Sequence, residues 1–191
     1  MSIIPSIVAA MEKKAATSSL LVALYSRIYN EVIRNEISLA GITAGDLVVN
    51  VGCGGIPFSA IQVARLTGAR VLAIDCDEDA VHSARRCISS LGMEGQVEVA
   101  CADGSKPLPV EFDVALVALQ AEPKKLLLDN LMAGCTSHGR LVFRQPRREL
   151  SHQYDLLPDE PAYCDEIKQK QVTFDSSVLY ISGCIVDKET K

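Results

Sequence analysis

Five short apolar runs interleaved with stretches of helical periodicity decide what this sequence can fold into. Leu47-Val48-Val49-Asn50-Val51, Arg70 to Ile74, Val97 to Cys101, Phe112 to Leu119 and Gly139 to Arg144 have the length and composition of buried strands, and helical patterns occupy roughly 59–67, 78–91 and 123–133. Strands that alternate with helices run parallel, because a crossover helix returns the chain to the same end of the sheet. The expected class is therefore α/β, a mostly parallel sheet wrapped by helices. The tail differs: Ile167 to Phe174 and Ser177 to Val186 read as two strands split by Asp175-Ser176, an antiparallel hairpin closing the sheet. Leu20, Leu24, Ile28 and Val32 recur every four residues and predict an amphipathic helix over 18–37; Ile3 to Lys14 carries a weaker pattern after Pro5. The expected organisation is thus a short helical N-terminal segment, 1–40, before one domain, 41–191. The polar stretch Pro146 to Pro161 reads as an irregular loop.

Size and charge bound the partners. The 191 residues, 48% hydrophobic, suffice for about one domain with some surplus. A formal net charge of −5 lacks the basic field that binds phosphate backbones, which argues against nucleic acid and for small neutral or cationic ligands. Seven cysteines without a CxxC or ligand spacing fit a reducing cytoplasm and no metal site. No apolar run approaches the roughly 18 residues of a membrane span. Lys13-Lys14 ahead of Leu20 to Leu24 starts too late, and is too broken by Thr17-Ser18-Ser19, to read as a secretory signal.

The chemistry concentrates where the first three strands end. Asn50-Val51-Gly52-Cys53-Gly54-Gly55-Ile56-Pro57 leaves the first strand and opens a helix, and glycine at 52 and 54 lets backbone approach a ligand that a Cβ would block. Asp75 ends the second strand 23 residues after Gly52, placed to accept from ribose hydroxyls. It could instead cap the following helix, although Asp77 suffices for that. Asp103-Gly104 follows the third strand, where an acid can accept from an exocyclic amine, or where Asp-Gly simply turns. Taken together the three predict an adenosine-type ligand. Pro57 stands where a dinucleotide fingerprint needs its third glycine, and no Gly-Lys-Ser/Thr follows the turn.

These residues resemble the class I S-adenosylmethionine-dependent methyltransferases: "TAGDLVVNVGCG" over Thr43 to Gly54, Asp75, Asp103, and Phe112-Asp113-Val114 opening the fourth strand. The resemblance spans about 43 to 186 and implies a Rossmann-like, doubly wound, seven-stranded sheet with a C-terminal antiparallel hairpin. It also implies S-adenosyl-L-methionine as cofactor, lying over 50–58 with Asp75 on the ribose and the Asp103 loop by the adenine. The cofactor-binding set then comprises Asn50, Gly52, Cys53, Gly54, Pro57, Asp75, Cys76, Asp103, Gly104 and Leu119. Asn50 stands where an acid is commonest in that family, and Ile56 where a third glycine is usual. Within the superfamily, Gly54-Gly55-Ile56-Pro57-Phe58-Ser59, Ala121-Glu122-Pro123-Lys124 and Arg140 to Arg144 are similar to nicotianamine synthases and their microbial relatives. That resemblance implies attack by an amine on the cofactor's aminocarboxypropyl carbon rather than its methyl. Those synthases carry a substantial helical domain before the first strand, where this sequence has about 40 residues.

Either transfer requires alignment of a nucleophile and exclusion of water. Gln120 and Glu122 follow the fourth strand, where the transferred group should emerge, and are the candidates to orient or deprotonate an acceptor. Glu122 could equally be a first-turn acid on the helix after Pro123. Tyr25, with Tyr29 one turn on, is a candidate lid or a packing pair. Arg144 offers a cation for an acceptor carboxylate, while Arg147 and Arg148 read as surface charge. The expectation is an enzyme that transfers a group, methyl by default, to a small-molecule acceptor. Aminocarboxypropyl transfer releasing methylthioadenosine is the alternative, and a non-catalytic cofactor-binding subunit the second. With so few residues left to choose an acceptor, the site could also be completed by a second subunit, as in a homodimer.

Overall fold

The computed structural model describes residues 19–184, with side chains from residue 29 onward; the expected helix over Ile3 to Lys14 lies outside the described residues. The elements in order are α1 (Ser19–Ala40), β1 (Leu47–Val51), α2 (Phe58–Thr67), β2 (Arg70–Asp75), α3 (Glu78–Ser90), β3 (Val97–Cys101), β4 (Phe112–Val117), α4 (Lys124–Gly134), β5 (Cys135–Pro146), a 3-10 turn (Arg148–Gln153), β6 (Asp165–Lys168) and β7 (Phe174–Ile181). The strands form one seven-stranded sheet in the order β3-β2-β1-β4-β5-β7-β6. The pairs from β3 across to β5 are parallel, and β7 runs antiparallel to both β5 and β6. The Rossmann-like methyltransferase architecture expected from the sequence is the one observed.

Alternation along the strands divides the core into two layers. Val48, Val71, Val97, Val114, Leu116 and Val142 meet Ile33 and Ala40 of α1, Ala60 and Val63 of α2, and Val81 and Ala84 of α3. Val49, Val51, Ala115, Val117 and Phe143 point the other way, onto Leu127, Leu128 and Leu131 of α4. Because the sheet is covered on both faces, its parallel strands read as continuous apolar runs rather than alternating ones. The far end of the sheet is anchored by Asp113, which accepts the Leu47 N–H at 2.9 Å, and by Arg140, which ion-pairs with Asp46 and donates to the Ala40 carbonyl at 2.9 Å.

The tail departs from expectation. Asp175-Ser176 is not a turn but lies within β7; the connection is 169–173, and β6 is only four residues long. The physical reason is that Ser176 and Ser177 are buried mid-strand, Ser177 pairing with Arg144 and donating through its hydroxyl to Glu36 at 2.9 Å. A pair of serines looks like a turn in sequence, but here both are buried and Ser177 supplies a hydrogen bond to a buried ion pair. The last residues of the expected second strand, 185 and 186, lie outside the described residues. The loop 146–161 contains the 3-10 turn, and β4 ends two residues sooner than expected, at Val117.

Candidate functional site

The loops leaving the carboxyl ends of β1 to β4 surround a cleft of about 1210 Å³. Its volume exceeds the roughly 300–1,000 Å³ usual for small-molecule pockets, and the excess runs on between α2 and α3, past Gln62, Arg65, His82 and Arg86.

β1 ends in a loop that turns under the ladder: the N–H groups of Gly52 and Cys53 both donate to the Ile74 carbonyl, at 2.9 and 3.0 Å. Gly52 has φ +74°, and a Cβ there would lie 3.2 Å from that of Ala118 at the end of β4. Glycine is needed on both counts, for the left-handed backbone and for the close approach. Asp75 holds this loop from the neighbouring strand. One carboxylate oxygen accepts the Gly54 N–H at 2.9 Å and the other accepts from the Asp77 N–H at 3.0 Å. A carboxylate has about four lone-pair sites, so acceptor capacity remains toward the cleft. Helix α3 is capped separately by Asp77, which accepts from Asp79 N–H at 2.9 Å.

Asp103 closes its own turn, taking the Ser105 N–H and hydroxyl at 2.9 and 2.6 Å and facing Lys106 at 3.3 Å. The Ser105 hydrogen bonds, followed by the Lys106 contact, hold its carboxyl below the usual range. The turn is pressed against the sheet because Gly104 has no side chain: a Cβ would come within 2.8 Å of Val51 Cγ1. Cys76 sits among Asp75, Asp103 and Asp77; burial first, then the Asp75 charge, push its thiol up. This end of the cleft is therefore electronegative.

The cleft brings together Gly52, Gly54, Asp75, Cys76, Asp103, Gly104, Gln120 and Glu122 of the residues singled out in the sequence. Asn50, Cys53, Pro57 and Leu119 are buried and do not border it. Asn50 donates to the Leu116 carbonyl at 3.2 Å from β1, and its own amide oxygen has no partner. Leu119 packs instead with Val32 and Phe174, beside Tyr29 and Tyr154. Tyr25 lies on α1 at a position whose side chain is outside the described residues. Among the described residues no group of three or more His, Cys, Asp and Glu is placed to hold a metal ion, and no helix is long and apolar enough to cross a membrane.

Arg144 corrects the reading of a free cation for an acceptor carboxylate. It is 7% exposed and already holds a carboxylate, donating from Nε and Nη2 to the two oxygens of Glu36 at 2.8 Å each, with a further bond to Ser59 Oγ at 3.1 Å. Its guanidinium lies 5.8 Å from the Tyr29 ring, which is 6.3 Å from Phe58 on the cleft wall. Glu36 sits near the C-terminal end of an amphipathic helix, and nothing in a helical pattern marks a buried acid except an arginine elsewhere that needs one.

Lys124, marked in the sequence only as the last residue of the Ala121-Glu122-Pro123-Lys124 motif, has a structural part that the motif does not reveal. Only 1% exposed, its Nζ donates to the Ala118 and Leu119 carbonyls at 2.8 and 3.0 Å, just past the end of β4. Burial, partly offset by the nearby Asp155 charge, lowers its pKa to about 7. It fixes the backbone that presents Gln120 and Glu122.

Comparison with known proteins agrees with this geometry. A family model described as Ribosomal protein L11 methyltransferase (PrmA) matches residues 31–144. L-histidine 2-aminobutanoyltransferase of Yersinia pestis is 36% identical over 123 residues, 63% of this chain and 45% of that protein. Ribosomal protein L11 methyltransferase of an Exiguobacterium species is 34% identical over 101 residues, 53% of this chain and 32% of that protein. The chain thus spans less than half the length of these curated relatives. Among solved structures, MtNAS in complex with MTA and tNA superposes with TM-score 0.77 at 24% identity, covering 91% of this chain and 68% of that one. An RNA methyltransferase from Salinibacter ruber in complex with S-adenosyl-L-homocysteine gives TM-score 0.62 at 20% identity, covering 84% of this chain and 96% of that one.

Proposed function

The chain belongs to the class I S-adenosylmethionine-dependent methyltransferase-like family that the L11 methyltransferase model describes, and from that premise we propose that it is an S-adenosylmethionine-dependent transferase that moves the aminocarboxypropyl arm, not the methyl group, to a small-molecule acceptor. The observation that carries the cofactor reading is the cleft itself, bordered by the Gly52–Gly54 loop and the Asp103-Gly104 turn with Asp75 between them. Preference for the arm over the methyl, against the default taken from the sequence, is supported by the aminobutanoyl transferase relative and the nicotianamine synthase-like fold.

Bound S-adenosylmethionine supplies a sulfonium whose adjacent carbon bonds to the acceptor nitrogen while the carbon–sulfur pair passes to sulfur, leaving methylthioadenosine. Asp75 takes the ribose hydroxyls with its remaining lone pairs, and Gly52 and Gly54 admit the ligand against the backbone. The Asp103-Gly104 turn walls the adenine. Gln120 and Glu122, held level by Lys124, face the reacting centre, and Glu122 accepts the proton the acceptor nitrogen gives up.

Product analysis tests this. The protein incubated with S-adenosylmethionine and a panel of amines that includes L-histidine is expected to release methylthioadenosine. S-adenosylhomocysteine as the sole product would reinstate methyl transfer. Calorimetric binding of the cofactor with neither product would identify a non-catalytic binding subunit.

A further inference from the structure

A second, shallower groove of about 570 Å³ lies between the β4–α4 turn and the end of the 3-10 turn, lined by Glu122, Pro123, His152, Gln153, Tyr154 and Asp155. Glu122 is the one residue that borders both this groove and the main cleft. The two openings therefore meet at a carboxylate that accepts no hydrogen bond from the described residues.

The groove's chemistry is one-sided. Its lining has two carboxylates, Glu122 and Asp155, whose charges both reach the buried Lys124 amine behind them, one imidazole, His152, and no lysine or arginine, although two arginines precede it in sequence. Those two are directed elsewhere: Arg147 donates to the Gln171 carbonyl at 2.7 Å, and Arg148 is exposed outside the groove. Asp155 is fixed rather than mobile, because one of its oxygens accepts the Lys124 N–H at 2.5 Å at the first turn of α4. Its other oxygen carries no such bond. The groove's third wall is the ring of Tyr154, which packs with Tyr29 and Leu119 and is therefore held against the end of β4. Two fixed or lightly engaged carboxylates beside an aromatic ring form a receptor for a cation on a short organic body, since the ring face and both acids attract positive charge.

We propose that this groove, and not the cleft between α2 and α3, is the acceptor subsite, and that it takes a small molecule bearing a protonated primary amine, held between Glu122 and Asp155 with its body against Tyr154. The proposal rests on the transferase reading and gives it a direction. The acceptor enters from the α4 side and meets Glu122 last, and there the ammonium passes one proton to the carboxylate before its nitrogen forms the new bond. Specificity then lies in the 146–161 connection and not in the sheet.

A titration separates the two readings. The isotope-labelled chain, saturated with S-adenosylhomocysteine, is titrated with cadaverine, with L-histidine and, as the control of opposite charge, with glutarate, and backbone amide shifts are followed. The expected result is movement of the amides of Glu122, Lys124 and 152–155 with the amines and none there with glutarate. Asp155→Asn, which keeps an acceptor oxygen for the Lys124 N–H, should weaken the amine midpoint tenfold or more, about the loss of one charge-assisted hydrogen bond. Glu122→Gln, on an exposed turn, should weaken it comparably and serves if the first variant folds poorly. Equal response to glutarate, amine shifts confined to 62–86, or unchanged midpoints in both variants would each overturn the proposal. If S-adenosylhomocysteine itself fails to move Gly52, Gly54 and Asp75, the cofactor reading falls instead, and the groove's amine response stands or falls separately.

Discussion

At Lys124 the chain buries an amine where a methionine would fill similar space, and its two acceptors show why. Without it the Leu119 carbonyl would be unsatisfied in the core, at about 1–3 kcal/mol, while the Ala118 carbonyl, which also accepts the Ala121 N–H at 3.2 Å, would keep one partner. A neutral amine has two N–H groups for two carbonyls, which matches a pKa lowered to about 7. The unfolded chain, with its lysine near 10.5, holds this proton through the window from about pH 7 to pH 10.5 while the folded chain gives it up. Stability from this residue therefore rises with pH across that window, by up to about 1.4 kcal/mol per unit, and below it the folded state bears the full cost of a buried ammonium. Lys124→Met should accordingly be less stable than wild type by about 1–3 kcal/mol near pH 9, with the gap narrowing toward pH 7; urea melts of both proteins at several pH values check this. The sequence showed Lys124 inside a motif but not its burial, since a lysine one residue into a helix is ordinarily solvated. Asp75 was legible because strand, turn and acid sit at a spacing that local chain geometry imposes. Arg144 was misread for the opposite reason, because its partner Glu36 is 108 residues away.

Among the elements, α1 carries more than an apolar stripe. Through Glu36 it joins β5 at Arg144 and β7 at Ser177, with α2 joined to the same arginine through Ser59, so four elements meet at one buried ion pair. Removing one member strands the other in a site that is all but dry. Glu36→Gln or Arg144→Met should each cost about 3–5 kcal/mol, whereas Glu36→Leu combined with Arg144→Met should cost much less than the sum. A double-mutant cycle in denaturant measures the difference. Strands β1 to β5 and helices α2 to α4 were legible because parallel strands covered on both faces are apolar throughout. The β6–β7 hairpin was displaced because Ser177 in β7 answers to this distant pair and not to any local period.

For the molecule as a whole, the cofactor reading makes a claim that needs no acceptor. Ligand at 100 times its dissociation constant adds about 2.7 kcal/mol to a native state that alone binds it, which for a chain of this size raises the melting temperature by about 5–10 °C. Both S-adenosylmethionine and S-adenosylhomocysteine should produce such a shift in a thermal melt, and Asp75→Ala should lose most of it; equal shifts in wild type and variant would move the ribose elsewhere. The order of the strands carries a last consequence, for how the molecule is made. β7, which follows the other six strands of this sheet in sequence, is not at the rim but between β5 and β6. Until Phe174–Ile181 has emerged, the long strand β5 is an open edge and β6 has no neighbour to join. From the completion of β5 at Pro146 until β7 is complete at Ile181 the nascent chain thus carries an unpaired, apolar edge, and a chain that lacks Phe174–Ile181 is expected to associate through it rather than fold as a smaller protein.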